Sequence, residues 1–62
     1  MNDLSPNAEN LQKCLIYFSS VGYKIVKKEK ILNKPYYFTQ QCIYELSMKG
    51  IITEDGDNIR LN

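Results

Sequence analysis

Thr39, Cys42, Ile43 and Leu46 recur at offsets of 3, 4 and 7, the spacing that stacks side chains on one face of an α-helix. Pro35 stands where such a helix would begin, as a residue tolerated in the first turn and barred from the interior. Gly50 stands where it would end, since only glycine takes positive φ there without a Cβ clash. Ile51 and Ile52 follow at once. The spacing therefore predicts a helix opening at Pro35, buried along that stripe, and leaving directly into an extended strand. Its front would carry Tyr36, Tyr37, Gln40, Gln41 and Tyr44, large side chains with polar tips and no charge.

A second helix pattern lies near the start. Ser5 and Pro6 form an N-cap and first-turn pair, and Glu9 suits the positive end of the helix dipole. Leu11, Cys14, Leu15 and Phe18 repeat at helical spacing, Val21 extends the stripe, and Gly22 ends it. Residues 1–4 are expected to be a flexible lead-in. Between the two helices, Tyr23 to Lys27 alternates apolar residues with lysine, which predicts a short strand. Lys28 to Leu32 is then a short helix ending near Asn33, anchored by Ile31 and Leu32. Asn33-Lys34-Pro35 makes the break before the next helix. Beyond Gly50, Asp55-Gly56 predicts a two-residue hairpin turn that sets Ile52 opposite Ile59, with Leu61 on the same face.

Sixty-two residues make one domain with a small core. Two cysteines and no histidine fall short of the ligands a zinc site takes, and both thiols are expected as reduced core residues. The missing histidine also removes Cys-His and Ser-His catalysis. Glycines at 22, 50 and 56 stand too far apart for a phosphate-cradling loop. No enzyme, metal or small-molecule cofactor is expected. No apolar run approaches membrane-spanning length, and the polar, acidic start is unlike a signal peptide, so a cytoplasmic protein, bacterial or in a host cell, is expected.

Net charge is only +1, but it is segregated. Residues 10–50 hold seven lysines against Glu29 and Glu45, a net +5, while residues 1–9 and 51–62 each carry −2. The order helix, strand, helix, helix, hairpin, with Ile43, Leu46, Lys49, Gly50, Ile51 and Ile52 closing the third helix, resembles the winged helix-turn-helix superfamily. One departure is plain: Lys28, Glu29 and Lys30 occupy the middle of the second helix, where that superfamily usually has a small apolar residue.

The resemblance implies a small α+β winged helix over residues 1–62, with double-stranded DNA as partner and the third helix in the major groove. Glutamine reads adenine edges naturally, so Gln40 and Gln41, with Tyr37 and Tyr44, are the base-reading candidates. Lys24, Lys27, Lys28, Lys30, Lys34, Tyr36 and Lys49 are the phosphate candidates. The wing tip, with Glu54, Asp55 and Asp57, is acidic and would repel phosphate. Composition rich in Asn, Lys, Ile and Tyr, with the short length, fits a phage- or plasmid-borne transcriptional regulator. A different class of function stays open: three tyrosines with Phe38 and Met48 make a low-charge surface of the kind found at protein interfaces, suited to a homodimer or an adaptor.

Overall fold

A computed structural model describes residues 4–62. Over these the chain runs α1 (Pro6–Ser20), β1 (Ile25–Lys27), α2 (Lys28–Leu32), α3 (Gln40–Met48), β2 (Ile52–Asp55) and β3 (Asn58–Leu61). Three helices thus pack with one antiparallel sheet in the order β1-β3-β2, an α+β arrangement. Leu4 already packs against the core, and residues 1–3 lie outside the described residues.

Ser5 caps α1, its Oγ accepting from the Ala8 N–H at 3.2 Å. At the other end the Tyr23 N–H donates to the Phe18 carbonyl at 2.8 Å and the Gly22 N–H to Ser19 at 3.1 Å, the paired bonds of a Schellman stop. Ala8, Leu11 and Leu15 are buried. Cys14 and Phe18 are only half-buried and Val21 is exposed, so the inner stripe ends before the last turn. In β1 it is Val26 that points to the core, and Tyr23 and Ile25 face out. The short second helix forms over the expected residues, with Ile31 fully buried.

The third helix begins five residues later than the proline suggests. Tyr36 and Tyr37 N–H groups both donate to the Asn33 carbonyl at 3.0 Å, and the Phe38 N–H donates to Ile31 at 2.8 Å. These bonds close residues 33–38 into a compact loop. The Lys34–Pro35 bond is cis and Tyr37 sits at φ 53. Thr39 then takes the cap, its Oγ1 accepting from the Cys42 N–H at 3.4 Å. Two forces favour this over a helix from Pro35. A threonine hydroxyl satisfies an otherwise orphaned helix N–H, and the loop lets the rings of Tyr36 and Phe38 pack inward. Cys42, Ile43 and Leu46 form the buried stripe as expected, whereas Thr39 is the exposed cap. Gly50, at φ 72, ends the helix as the Ile51 N–H closes on Leu46 at 3.0 Å.

The hairpin forms, with its register displaced by two residues. Gly56 and Asp57 are the turn, Asp55 pairs with Asn58, Glu54 with Ile59 and Ile52 with Leu61. Positive φ at Gly56 alone (φ 61) is the pattern of a II′ turn, with glycine in the first central position. A shift of two preserves the faces, so Ile52 and Ile59 are still both buried. What the shift adds is ladder length. The Asn62 N–H now reaches the Ile51 carbonyl at 2.9 Å, and its side chain bonds the Gly50 carbonyl at 2.9 Å and the Thr53 hydroxyl at 2.7 Å. β1 pairs with β3, Val26 opposite Ile59, which joins the strand after α1 to the hairpin.

A Cβ added at Gly56 would meet nothing within 4 Å, so the only cost of a substitution is backbone conformation. Gly56→Val should therefore lose about 1–2 kcal/mol in urea unfolding, and Gly56→Asn clearly less, since asparagine tolerates positive φ. Equal stability of Gly56→Val and the parent chain would rule out this turn.

Candidate functional site

Two of the glutamines and one tyrosine come together on the outer face of α3. Gln40, Gln41 and Tyr44 are exposed, turned away from Cys42, Ile43 and Leu46 because the helical period separates the two sets. Met48 continues this face one turn on and is also exposed. Glu45, the acid within α3, does not charge the front. Its Oε1 accepts from the Ser5 N–H at 2.9 Å and its Oε2 from the Ser5 hydroxyl at 3.0 Å, so the carboxylate is tied to the start of α1.

The other two aromatic candidates do not lie on the helix. Tyr37 is in the loop, exposed. Tyr36 is half-buried, its ring edge-on to Phe18 at 5.7 Å and stacked on Phe38 at 6.2 Å. Such contacts make Tyr36 a packing residue, and it leaves the set of phosphate contacts. Lys24, Lys27, Lys30, Lys34 and Lys49 are exposed. They are spread over the approach to β1, the end of β1, α2, the loop and the C-cap of α3.

Lys28 and Gln40 meet at an acid. Lys28 Nζ lies 2.9 Å from Glu54 Oε1, and Gln40 Nε2 donates to the same oxygen at 3.4 Å. The cluster ties β2 to the starts of α2 and α3. Its hydrogen bond from Lys28 holds the Glu54 carboxyl below the usual glutamate range, against a smaller opposing effect of burial and with help from Lys28 charge and Gln40. A carboxyl whose folded pKa is depressed stabilises the fold above its unfolded value, and that stabilisation disappears as pH falls through the folded one. For a pair this open to water the gain is at most about 1 kcal/mol. Lys28→Met should thus be less stable than the parent chain at neutral pH by that margin or less. The gap in urea midpoints should close once the solution is acidic enough to protonate Glu54. A gap unchanged in acid would show that the ion pair is not its source.

One apolar surface was not foreseen. Around Phe18 lies an open cleft of about 430 Å³ lined by Tyr23, Ile25 and Val26, with Lys27 and Lys30 at its edge. The signal was present in the sequence: Ile16, Tyr17, Tyr23 and Ile25 are large apolar residues off the buried stripes, and all four are exposed.

Among the described residues no three His, Cys, Asp or Glu side chains are grouped as metal ligands, and Cys14 and Cys42 are free thiols. No described helix is long and apolar enough to cross a membrane. Comparison with protein-family models, curated proteins and solved structures finds no match to this chain.

Proposed function

We propose that this is a small winged-helix domain that binds double-stranded DNA, acting in the cytoplasm as a transcriptional regulator with α3 in the major groove. The single observation carrying the reading is the front of α3, where Gln41 and Tyr44 are exposed and Glu45, the acid of this helix, is bonded to Ser5. Gln41 is the primary base reader, since two hydrogen bonds from its amide match the adenine edge. Gln40 joins it by exchanging its bond to Glu54 for one to DNA. Tyr44 packs on sugars or donates to phosphate, and Tyr37, two residues before the Thr39 cap, reaches the flanking backbone. Lys24, Lys27, Lys30, Lys34 and Lys49 supply the electrostatic attraction that dominates duplex affinity. The element order and the β1–β3 pairing agree with a winged helix. The wing itself stays off the phosphates, because Asp55 and Asp57 are at its tip.

Mobility shift of random duplex DNA at two salt concentrations tests this directly. Lys30→Ala and Lys34→Ala should each lower the slope of log affinity against log salt by about 0.9. A parent chain that shifts no duplex at low salt would sink the proposal. It would favour the adaptor reading, for which the specific support is the exposed Tyr37, Tyr44 and Met48 surface.

A further inference from the structure

We propose that the outer edge of β1 and the cleft beside it form a docking site for an extended acidic peptide of a partner protein. The peptide adds to the sheet as a fourth strand and places a large apolar side chain against Phe18. The site is separate from the front of α3 and does not depend on the DNA-binding reading.

Among the described residues the sheet order leaves one side of β1 unpaired. Its polarity follows from the ladder. The Lys28 N–H donates to the Asp57 carbonyl at 2.8 Å, and the register runs Val26 to Ile59. Hydrogen-bonded pairs alternate along an antiparallel ladder, so Val26 bonds β3, while the N–H and C=O of Ile25 and the N–H of Lys27 turn outward. The Lys27 carbonyl is taken up as the cap of α2, which leaves the Ile25 N–H and C=O and the Lys27 N–H on the open edge. Two donors and one acceptor are thereby presented at peptide spacing, as in strand addition.

Beside this edge is the open cleft of about 430 Å³, with Phe18, Tyr23, Ile25 and Val26 as apolar wall and Lys27 and Lys30 at its rim. A shallower cleft of about 250 Å³ continues past Phe18 to Tyr17 and Tyr36, with Lys13 beside it. Tyr17, Tyr23 and Ile25 are 63%, 66% and 61% exposed, large apolar groups that nothing in the fold covers. Among the described residues no acidic side chain lines either cleft.

Charge selects the occupant. A second copy docking through its own β1 would bring Lys24, Lys27 and Lys30 against the same three lysines, and edge lysines guard against that self-pairing. They attract a strand bearing Asp or Glu. A single-stranded nucleic acid could stack on the tyrosines, but its phosphates only accept hydrogen bonds. The outward carbonyl of Ile25 would then face an anion. A peptide satisfies donors and acceptors together.

The probe is a short synthetic peptide alternating glutamate with phenylalanine and leucine, titrated into the 15N-labelled parent chain. We expect saturable amide shifts centred on Phe18, Ile25 and Lys27, with slowed hydrogen exchange at the Ile25 and Lys27 amides. A copy with N-methylated backbone, and one with lysine in place of glutamate, should each bind at least about tenfold more weakly, the loss expected from one or two hydrogen bonds or from reversed charge. Ile25→Pro removes an outward N–H and leaves the β1–β3 bonds in place, so it should fold by circular dichroism and lose about tenfold in affinity. The N-methyl comparison decides the matter even if Ile25→Pro unfolds. The proposal is overturned by no saturable shift at millimolar peptide, by equal binding of the N-methylated copy, or by shifts centred on Gln41 and Tyr44. It is likewise overturned if oligothymidylate binds the same residues more tightly than the peptide, or if the free chain dimerises through β1.

Discussion

Ile31→Ala should leave much of the protein unfolded under conditions where the parent chain is native. Ile31 is fully buried, and truncating a buried isoleucine to alanine costs about 2–5 kcal/mol. A domain of this length has only about 3–9 kcal/mol in total. The position is more sensitive than its short helix implies. α2 spans Lys28–Leu32, and its cap residue Lys27 makes no side-chain capping bond. Five residues do not hold helical form without tertiary packing. The Ile31 carbonyl also receives the Phe38 N–H, so movement at this residue loosens the loop that leads into α3. Leu32→Ala, at a half-buried neighbour, should cost markedly less. Urea titration followed by far-ultraviolet circular dichroism measures both. A loss below about 1 kcal/mol for Ile31→Ala would mean that the core closes without α2.

The second large effect is on binding and should leave the fold alone. Tyr44 is 53% exposed and Gln41 is also exposed, so alanine at either should change stability by no more than about 0.5 kcal/mol. Duplex affinity should fall by about 1–3 kcal/mol for Gln41→Ala. It should fall by about 2 kcal/mol or more for Tyr44→Ala if that ring anchors the interface. Thermal melts and DNA titrations on the same preparations separate the two quantities. Unchanged affinity in both variants would remove α3 from the interface. A melt that collapses in Tyr44→Ala would instead make that side chain part of the core.

Where punctuation was local, the chain could be read in advance. Ser5-Pro6 and Gly22 bound α1 within a residue, Gly50 ends α3, and Lys28 to Leu32 is helical where the apolar pair at its end predicts. The start of α3 was not readable from local signals. Pro35 is a good first residue, but Thr39 is a better cap, and the choice between them is made by Tyr36 and Phe38 packing near Phe18, eighteen and twenty residues upstream. That choice also divides the expected recognition face: Gln40, Gln41 and Tyr44 remain together, whereas Tyr36 turns inward and Tyr37 stays in the loop. The hairpin register depended likewise on partners at its far end, Asn62 with Gly50 and Ile51, that no turn motif encodes. Tyr23 and Ile25 alternate as a half-buried strand should. Val26 is the residue that reaches the core, because the pairing with Ile59 decides which face turns in.

The strand order has a consequence for how the chain can be made. β3 is the last strand to be synthesised and the middle one in space. A ribosome delivering residues in order releases β1, and later β2, with no neighbour to pair with. Val26 and Ile52 lack their cross-strand neighbours until Asn58 to Leu61 have been made. Sheet formation therefore waits for β3 and joins both outer strands at once, with helices α1 to α3 left to shield those two side chains in the interval. A chain truncated before Asn58 should remain protease-sensitive, whereas one that runs through Leu61 should give a protease-resistant domain.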